Sequence, residues 1–222
     1  MWRGIVGAFL LIAGLALFLG LGIWQLQRLE WKEAILADIA AQIGAEPGPL
    51  PALPTAREDT YRPVTLRGEM GTQELHVLVS SRDWGPGFRI ISPFTTDDGR
   101  RIMVDRGFVP TAEKDAPRPG GPMAITGNLH WPQDRTDATP DDDPKGNWWY
   151  ARNVAKMAAA LGTEPVLVIL RSGPDASVRP LPITTEGIRN KHFEYAMTWF
   201  LLAATWVVMT GFALWRIRRR NR

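Results

Sequence analysis

His192 lies just before an apolar stretch, residues 195–215, that is long enough to cross a membrane. Tyr195 and Trp199 follow it at intervals of three and seven residues, and these three positions share one face of an α-helix. An imidazole beside aromatic rings at a membrane surface is chemically distinctive, since neutral histidine is a common metal ligand. The other histidines, His76 and His130, lie in strand-like runs and are predicted to be half-exposed sheet residues.

A second group of aromatic, basic and amide side chains follows the other apolar stretch, residues 4–27. The group comprises Trp24, Gln25, Arg28, Trp31 and Lys32. Trp24, Arg28 and Trp31 share one helical face by their i, i+4, i+7 spacing. With His192, the group offers what a porphyrin needs, namely an imidazole for iron, aromatic walls for the macrocycle and cations for the propionates. Belts of Trp and Tyr flanked by Arg and Lys also occur at membrane interfaces without a ligand, so the pattern alone leaves both interpretations open.

The two apolar stretches predict transmembrane helices that position both groups. Neither residues 4–27 nor residues 195–215 contain a charged side chain, and at about 1.5 Å per residue each spans a hydrocarbon core of about 30 Å. The basic segment 216–222 follows the second stretch, which predicts a cytoplasmic C-terminus. Two crossings then place the N-terminus in the cytoplasm and the central segment, with both groups, on the opposite side. Gln25 to Arg28 stand where a secretory signal would have a small-residue cleavage site, so the first helix is predicted to be an uncleaved anchor.

The charge distribution and the composition exclude several classes of function. Residues 28–194 contain all 23 acidic residues and 20 of the 26 basic ones, so this segment carries a net charge of −3. The overall charge of +3 therefore comes from arginines near the two ends, which membrane topology explains, and no nucleic-acid partner is expected. The absence of cysteine excludes disulfides, thiolate metal sites and covalent haem attachment. No nucleophile and base stand in a known catalytic spacing, so no enzymatic activity is expected.

The central segment begins with a helical extension and a linker. Residues 28–44 have helical spacing and end at Gly44. The four prolines of residues 45–60 predict an extended linker in which no helix forms.

The remainder of the central segment is predicted to be a β-rich domain, residues 61–182, followed by a connector, residues 183–194. Short β-rich runs separated by Gly, Pro and Asp predict an antiparallel sheet or small barrel. The sequence DDG at residues 97–99 predicts a hairpin turn, and Asn153 and Gly162 delimit one short helix. The predicted fold class is an α+β membrane protein in which two transmembrane helices flank an exported antiparallel β-rich domain with one short helix.

Six segments resemble, in order, the signature segments of the Surfeit-locus family of cytochrome c oxidase assembly factors. They are LGIWQLQRLEWK, YRPVTLRGEM, GPGFRIISPF, VDRGFVP, NWWYARNVAKMAAALG and NKHFEYAMTWFLLA. The most specific pair is WQxxRxxWK with HxxYAxTW, each at the predicted exported end of its own helix. Together the segments cover nearly the whole chain.

This resemblance implies a two-span protein of the bacterial cytoplasmic membrane, with a periplasmic central domain, that aids insertion of haem a into the oxidase catalytic subunit. Bacterial members of the family are known as haem a binders, and His192 matches the histidine implicated as iron ligand. The other binding residues implied are those of the two helix ends named above. The implied partners are cytochrome c oxidase subunit I, haem a synthase and the lipid bilayer.

Other functions compete with haem a binding. The protein could serve as a cofactor-free scaffold that holds oxidase subunits during assembly. A copper chaperone would have to use Met and His ligands without thiolates. A membrane enzyme is the reading least supported by the residues.

Overall fold

The structure, a computed structural model, describes residues 2–173 and 177–220. Its elements in chain order are α1 (Trp2–Gly44), α2 (Ala56–Asp59), β1 (Pro63–Met70), β2 (Leu75–Ser81), β3 (Gly85–Thr96), β4 (Arg101–Pro110), a 3₁₀ turn (Thr111–Glu113), β5 (Gly121–Leu129), α3 (Val154–Leu161), β6 (Leu167–Leu170) and α4 (His192–Arg220). The chain divides into a helical unit, Met1–Asp38 with Thr185–Arg222, and a β unit, Ile39–Thr184. Residues 221 and 222 of the predicted basic tail lie outside the described residues.

The helical unit is built from α1 and α4, which within the described residues are the two helices long and apolar enough to cross a membrane. With 43 residues, α1 is about 64 Å long and exceeds a hydrocarbon core of about 30 Å. It runs without a break from the first apolar stretch through the predicted helical extension. The other helix, α4, begins at His192, three residues before the apolar stretch, because the Tyr195 amide donates to the Lys191 carbonyl oxygen over 3.1 Å.

The two long helices pack against each other at seven-residue steps. Phe18 stacks on Trp199 with 6.1 Å between ring centroids, and Trp206 Nε1 donates to the Leu11 carbonyl oxygen over 3.2 Å. A β-carbon added at Gly14 would overlap the Trp206 indole, so this glycine is what allows the close approach. Seven-residue spacing keeps a contact face aligned along two helices, as in coiled coils.

The predicted linker contains one short helix, so the expectation that no helix forms between Gly44 and Tyr61 is wrong. Thr55 caps α2, since its hydroxyl accepts from the Glu58 amide over 3.3 Å. In return, Asp59 Oδ2 accepts from the Thr55 amide over 2.8 Å. This reciprocal capping stabilises a single helical turn, and the turn forms because it lies after the last proline of the linker.

The β unit is a barrel-like sheet with the strand order β1-β5-β6-β4-β3-β2 among the described residues. The long strand β3 also pairs with β1, so the five strands other than β2 close on themselves. The pairs are antiparallel except that β4 and β6 run parallel. One parallel pair is unavoidable, because the directions of five strands in a closed ring cannot alternate throughout. The hairpin between β3 and β4 turns at Gly99, whose φ of 85° supplies the positive angle that the DDG sequence predicts.

Two hydrophobic clusters lie on opposite faces of the same strands. Phe94, Val104 and Val168 are buried inside the barrel with their neighbours. Met103 and Leu167 point to the other face and pack on α3. As predicted, Asn153 caps α3 by accepting from the Lys156 amide over 3.1 Å, and Gly162 follows it in the left-handed conformation. The barrel strands are therefore buried on both sides where α3 covers them.

Candidate functional site

The candidate site lies in the helical unit, where Gln25 of α1 contacts His192 at the beginning of α4. Gln25 Oε1 lies 2.7 Å from His192 Nδ1. On α1, Gln25 occupies the next seven-residue step after Leu11 and Phe18, and on α4 His192 precedes Trp199 by the same step. The packing register that pairs Phe18 with Trp199 therefore also pairs Gln25 with His192. Because an imidazole nitrogen and an amide are joined within a mostly apolar helix pair, their hydrogen bond is stronger than it would be in water.

Lys32 lies on the same face of α1 as Gln25, seven residues further along the helix. Its Nζ donates to the Arg189 carbonyl oxygen over 2.6 Å, in the segment that leads into α4. An ammonium group has three donors, so this bond leaves capacity for a further acceptor. Gln25, Lys32 and His192 are thus brought together along one face of the helix pair.

Trp24, Arg28 and Trp31 lie on an adjacent face of α1. The two indoles are 50% and 52% exposed, and the Arg28 guanidinium lies 4.2 Å above the Trp31 ring. Since successive helical residues are rotated by about 100°, Gln25 points towards α4 whereas Trp24 does not. This trio forms a self-contained aromatic and cationic patch beside the Gln25–His192 pair.

The three predicted site residues of α4 do not share one environment. His192 and Trp199 are half-buried, and Trp199 packs on Phe18, whereas Tyr195 is 53% exposed. A three-residue step rotates the helix by about 300°, which places Tyr195 about 60° from His192. Trp199 Nε1 is buried and has no hydrogen-bond partner within the part of the chain that the structure describes.

These residues fit the chemistry of haem binding. With Nδ1 engaged by Gln25, the second ring nitrogen of His192 is the one that can act as a ligand. The exposed rings of Trp24, Trp31 and Tyr195 offer flat apolar surface, and the Arg28 cation matches the carboxylates of a porphyrin. The orphaned indole N–H of Trp199 is a donor that a polar group of a bound molecule could satisfy.

Sequence reasoning did not find a buried charge cluster in the β unit, and it placed His76 wrongly. His76 is 6% exposed rather than half-exposed. Its Nε2 lies 3.3 Å from Glu74, which also accepts from Arg118 over 2.6 Å and from Arg106 over 3.4 Å. Two arginines therefore compensate the buried carboxylate, and the histidine is buried with them. Glu74 lies just before β2 and His76 lies within it, and this two-residue spacing is the sequence signal that could have indicated a shared buried face.

A second cluster of charges surrounds His130, just after β5. Arg89 donates to Asp105 over 2.7 Å, and Arg152 Nε donates to Asp134 over 2.6 Å. A cavity of about 230 Å³ lies between Arg89, Arg152 and His130. Burial lowers the pKa of His130 to about 4, and the positive charge of Arg152 acts in the same direction. The imidazole is therefore neutral at physiological pH, and it stacks on the Tyr61 ring with 5.6 Å between ring centroids.

Comparisons with known proteins cover nearly the whole chain. The model of the SURF1 family matches residues 12–204, a range that includes both ends of the Gln25–His192 contact. Surfeit locus protein 1 of Mus musculus is 32% identical over 219 residues, which cover 88% of this chain and 71% of that protein. The Homo sapiens protein of the same name is 31% identical over 209 residues, with 83% and 70% covered. The SURF1-like protein of Drosophila melanogaster is 32% identical over 226 residues, with 90% and 74% covered.

Proposed function

The chain belongs to the SURF1 family of cytochrome c oxidase assembly factors, and we propose on that premise that it binds haem a and aids its insertion into oxidase subunit I. The observation that carries the proposal is the Gln25–His192 contact of 2.7 Å at the beginning of α4. A histidine held by an amide, next to exposed aromatic rings and cations, has the donor set and the surroundings of a haem site.

Each site residue has a role that follows from its position. His192 supplies the imidazole ligand, and Trp24, Trp31 and Tyr195 provide apolar surface for the macrocycle. Arg28 and Lys32 balance the propionates. Trp199 anchors α4 against α1 below the ligand through Phe18. Bound haem a would supply the iron centre that the oxidase needs, and this chain's residues hold and orient it without reacting.

The proposed location is the bacterial cytoplasmic membrane, with both termini in the cytoplasm and the β unit in the periplasm. The arginines that end α4, from Arg216 to Arg220, support this orientation through the positive-inside rule. The same orientation places Gln25 and His192 at the periplasmic end of the helix pair. The proposed partners are subunit I, haem a synthase and the surrounding lipid.

An optical spectrum of the purified protein tests the proposal. The protein is co-expressed with a source of haem a and purified in detergent, as wild type and as the variants His192→Ala and Thr205→Ala. Thr205 is exposed on the same helix and lies outside the signature segments, and its hydroxyl donates only to the Leu201 carbonyl oxygen among the described residues, so its replacement is the matched control.

Wild type and Thr205→Ala are expected to carry haem with the same Soret band, and His192→Ala is expected to lose or shift this band. Haem-free wild-type protein from cells that contain haem a would reject the proposal. That result would favour a scaffold that holds oxidase subunits without cofactor.

A further inference from the structure

We infer that Gln25 is a positioning residue that fixes the tautomer and the ring orientation of His192. The inference deepens the proposed function, on which its meaning for haem rests. Gln25 holds the proton on Nδ1 and so leaves the lone pair of Nε2 as the one that can ligate iron.

The hydrogen-bond chemistry determines the direction of the contact. The atom of Gln25 that lies 2.7 Å from His192 Nδ1 is the amide oxygen, which can only accept. Nδ1 therefore carries the proton, and a neutral imidazole with a protonated Nδ1 has its lone pair on Nε2. Free neutral histidine favours the opposite tautomer, so the Gln25 contact has a measurable consequence.

The packing around Gln25 holds its side chain towards His192. Three residues before it, Gly22 allows the Phe200 ring to lie against α1, because a β-carbon at that position would overlap the ring. Seven residues after it, Lys32 binds the Arg189 carbonyl oxygen over 2.6 Å. The contact face of α1 is the seam, formed by Leu11, Phe18, Gln25 and Lys32. Contacts on both sides thus keep Gln25 on this seam and fix the register in which it meets His192.

A ligand histidine usually donates its second N–H to a carbonyl or carboxylate, and this partner sets the ring orientation and raises the basicity of the ligand nitrogen. Removal of such a partner typically costs 10-fold to 100-fold in affinity. Gln25 is the side chain in the described helical unit that meets this requirement for His192. It acts through His192 and needs no contact with the porphyrin.

Gln27 provides a matched control for Gln25. It is the same residue type two positions further along α1, and it is exposed. The variants are Gln25→Leu, Gln25→Glu and Gln27→Leu, each in the full-length protein in detergent. Leucine has a similar size but no acceptor, whereas glutamate keeps an acceptor in the form of a carboxylate oxygen.

The first measurement uses haem-free protein with ¹⁵N-labelled histidine, at a pH well above the ordinary histidine pKa of about 6.5. The His192 signals are identified by their loss in His192→Ala, and their nitrogen shifts report the tautomer. Wild type, Gln27→Leu and Gln25→Glu are expected to have the proton on Nδ1, and Gln25→Leu is expected to shift towards Nε2. A wild-type His192 with its proton on Nε2 would overturn the inference.

The second measurement titrates the same variants with haem a. Gln25→Leu is expected to bind 10-fold to 100-fold more weakly than Gln27→Leu, and Gln25→Glu is expected to recover most of the affinity with a lower reduction potential. Equal affinity of Gln25→Leu and Gln27→Leu would overturn the inference even if both bind haem. Failure of every protein to bind haem would instead overturn the proposed function, while the tautomer measurement still decides the role of Gln25.

Discussion

His130 is expected to make the stability of the β unit depend on pH. Its ring is half-buried between the Tyr61 ring and the ion pairs of Arg89 and Arg152. Burial and the neighbouring guanidinium groups lower its pKa to about 4, and Asp134 offsets only part of this effect. The folded protein therefore holds a neutral imidazole under conditions in which the unfolded chain, with an ordinary pKa of about 6.5, begins to bind a proton.

Acid should destabilise the β unit through this histidine. Between pH 6.5 and pH 4 the unfolded chain binds more protons at this position than the folded protein, so the free energy of unfolding falls as the pH falls. Because the ring is partly exposed, we expect the loss to be about 1 kcal/mol. Thermal unfolding of wild type and His130→Gln across this pH range measures it. Parallel pH profiles for the two proteins would show that His130 does not titrate in this way.

Glu74 neutralises buried positive charge in the β unit, so its loss should lower the free energy of unfolding of this unit. Its side chain is 11% exposed and accepts from Arg106 and Arg118. Glu74→Gln removes the carboxylate that pairs with the buried Arg118 guanidinium over 2.6 Å, and removal of one partner from a buried ion pair costs about 3 kcal/mol. Exposed Glu69, replaced in the same way, is the control. Chemical denaturation should separate the two variants, and equal midpoints would contradict the role assigned to the cluster.

At the scale of the elements, the seam between α1 and α4 decides which predicted site residues meet. Length and apolar composition predict both helices, but a transmembrane helix is apolar on every side, so the sequence does not mark the face that packs. The contacts of Phe18 and Trp206 place this face along Gln25 and Lys32. Trp24, Arg28 and Trp31 were predicted by spacing to share a face, and they do, but that face is not the seam.

The seam depends on small residues at close approach. Gly14→Leu would drive a side chain into the Trp206 indole, whereas Gly20→Leu would meet no described atom within 4 Å of its β-carbon. Overpacking of this kind costs about 1 to 3 kcal/mol. Thermal stability of the two variants in detergent measures the difference, with Gly14→Leu expected to be the less stable. A Gly20→Leu variant that is equally or more strongly destabilised would place the seam elsewhere.

The strands illustrate what local sequence can and cannot specify. The β-rich runs, the DDG turn and the α3 caps rest on local chemistry, and each was predicted at its place. Closure of the barrel depends on pairing between β1 and β3 and on the parallel entry of β6, which are long-range contacts that no local pattern encodes. The short helix α2 was missed because the prolines before it masked the capping signal of Thr55 and Asp59.

At the scale of the whole molecule, the distribution of charge predicts the orientation in the membrane. Alkaline phosphatase fused at Pro140 should be active, because the β unit is proposed to be periplasmic, and a cytoplasm-active reporter fused after Arg222 should also be active. Both fusions are made in the same expression background, so protein level is compared directly. An inactive phosphatase at Pro140 in a well-expressed fusion would reverse the orientation and place His192 at the cytoplasmic side.

Replacement of His192 should remove its imidazole without unfolding the protein. It is a half-buried residue at a helix end, and its replacement by alanine removes one hydrogen bond, which costs about 1 kcal/mol, so the variant should accumulate to the wild-type level. The helical unit has no second histidine, because the other two histidines lie in the β unit, and the chain has no cysteine.

The haem a content of the assembled oxidase tests the central claim most directly. Membranes are compared from cells that carry wild type, His192→Ala, Thr205→Ala or a deletion, with immunoblots of this protein and of subunit I. We predict that His192→Ala lowers the haem a content of the oxidase towards the deletion level. With Thr205→Ala the haem a content should stay at the wild-type level, and the abundance of this protein should be unchanged in both variants. Wild-type haem a content with His192→Ala, alongside a defective deletion, would contradict the haem site and show that the protein supports assembly without it.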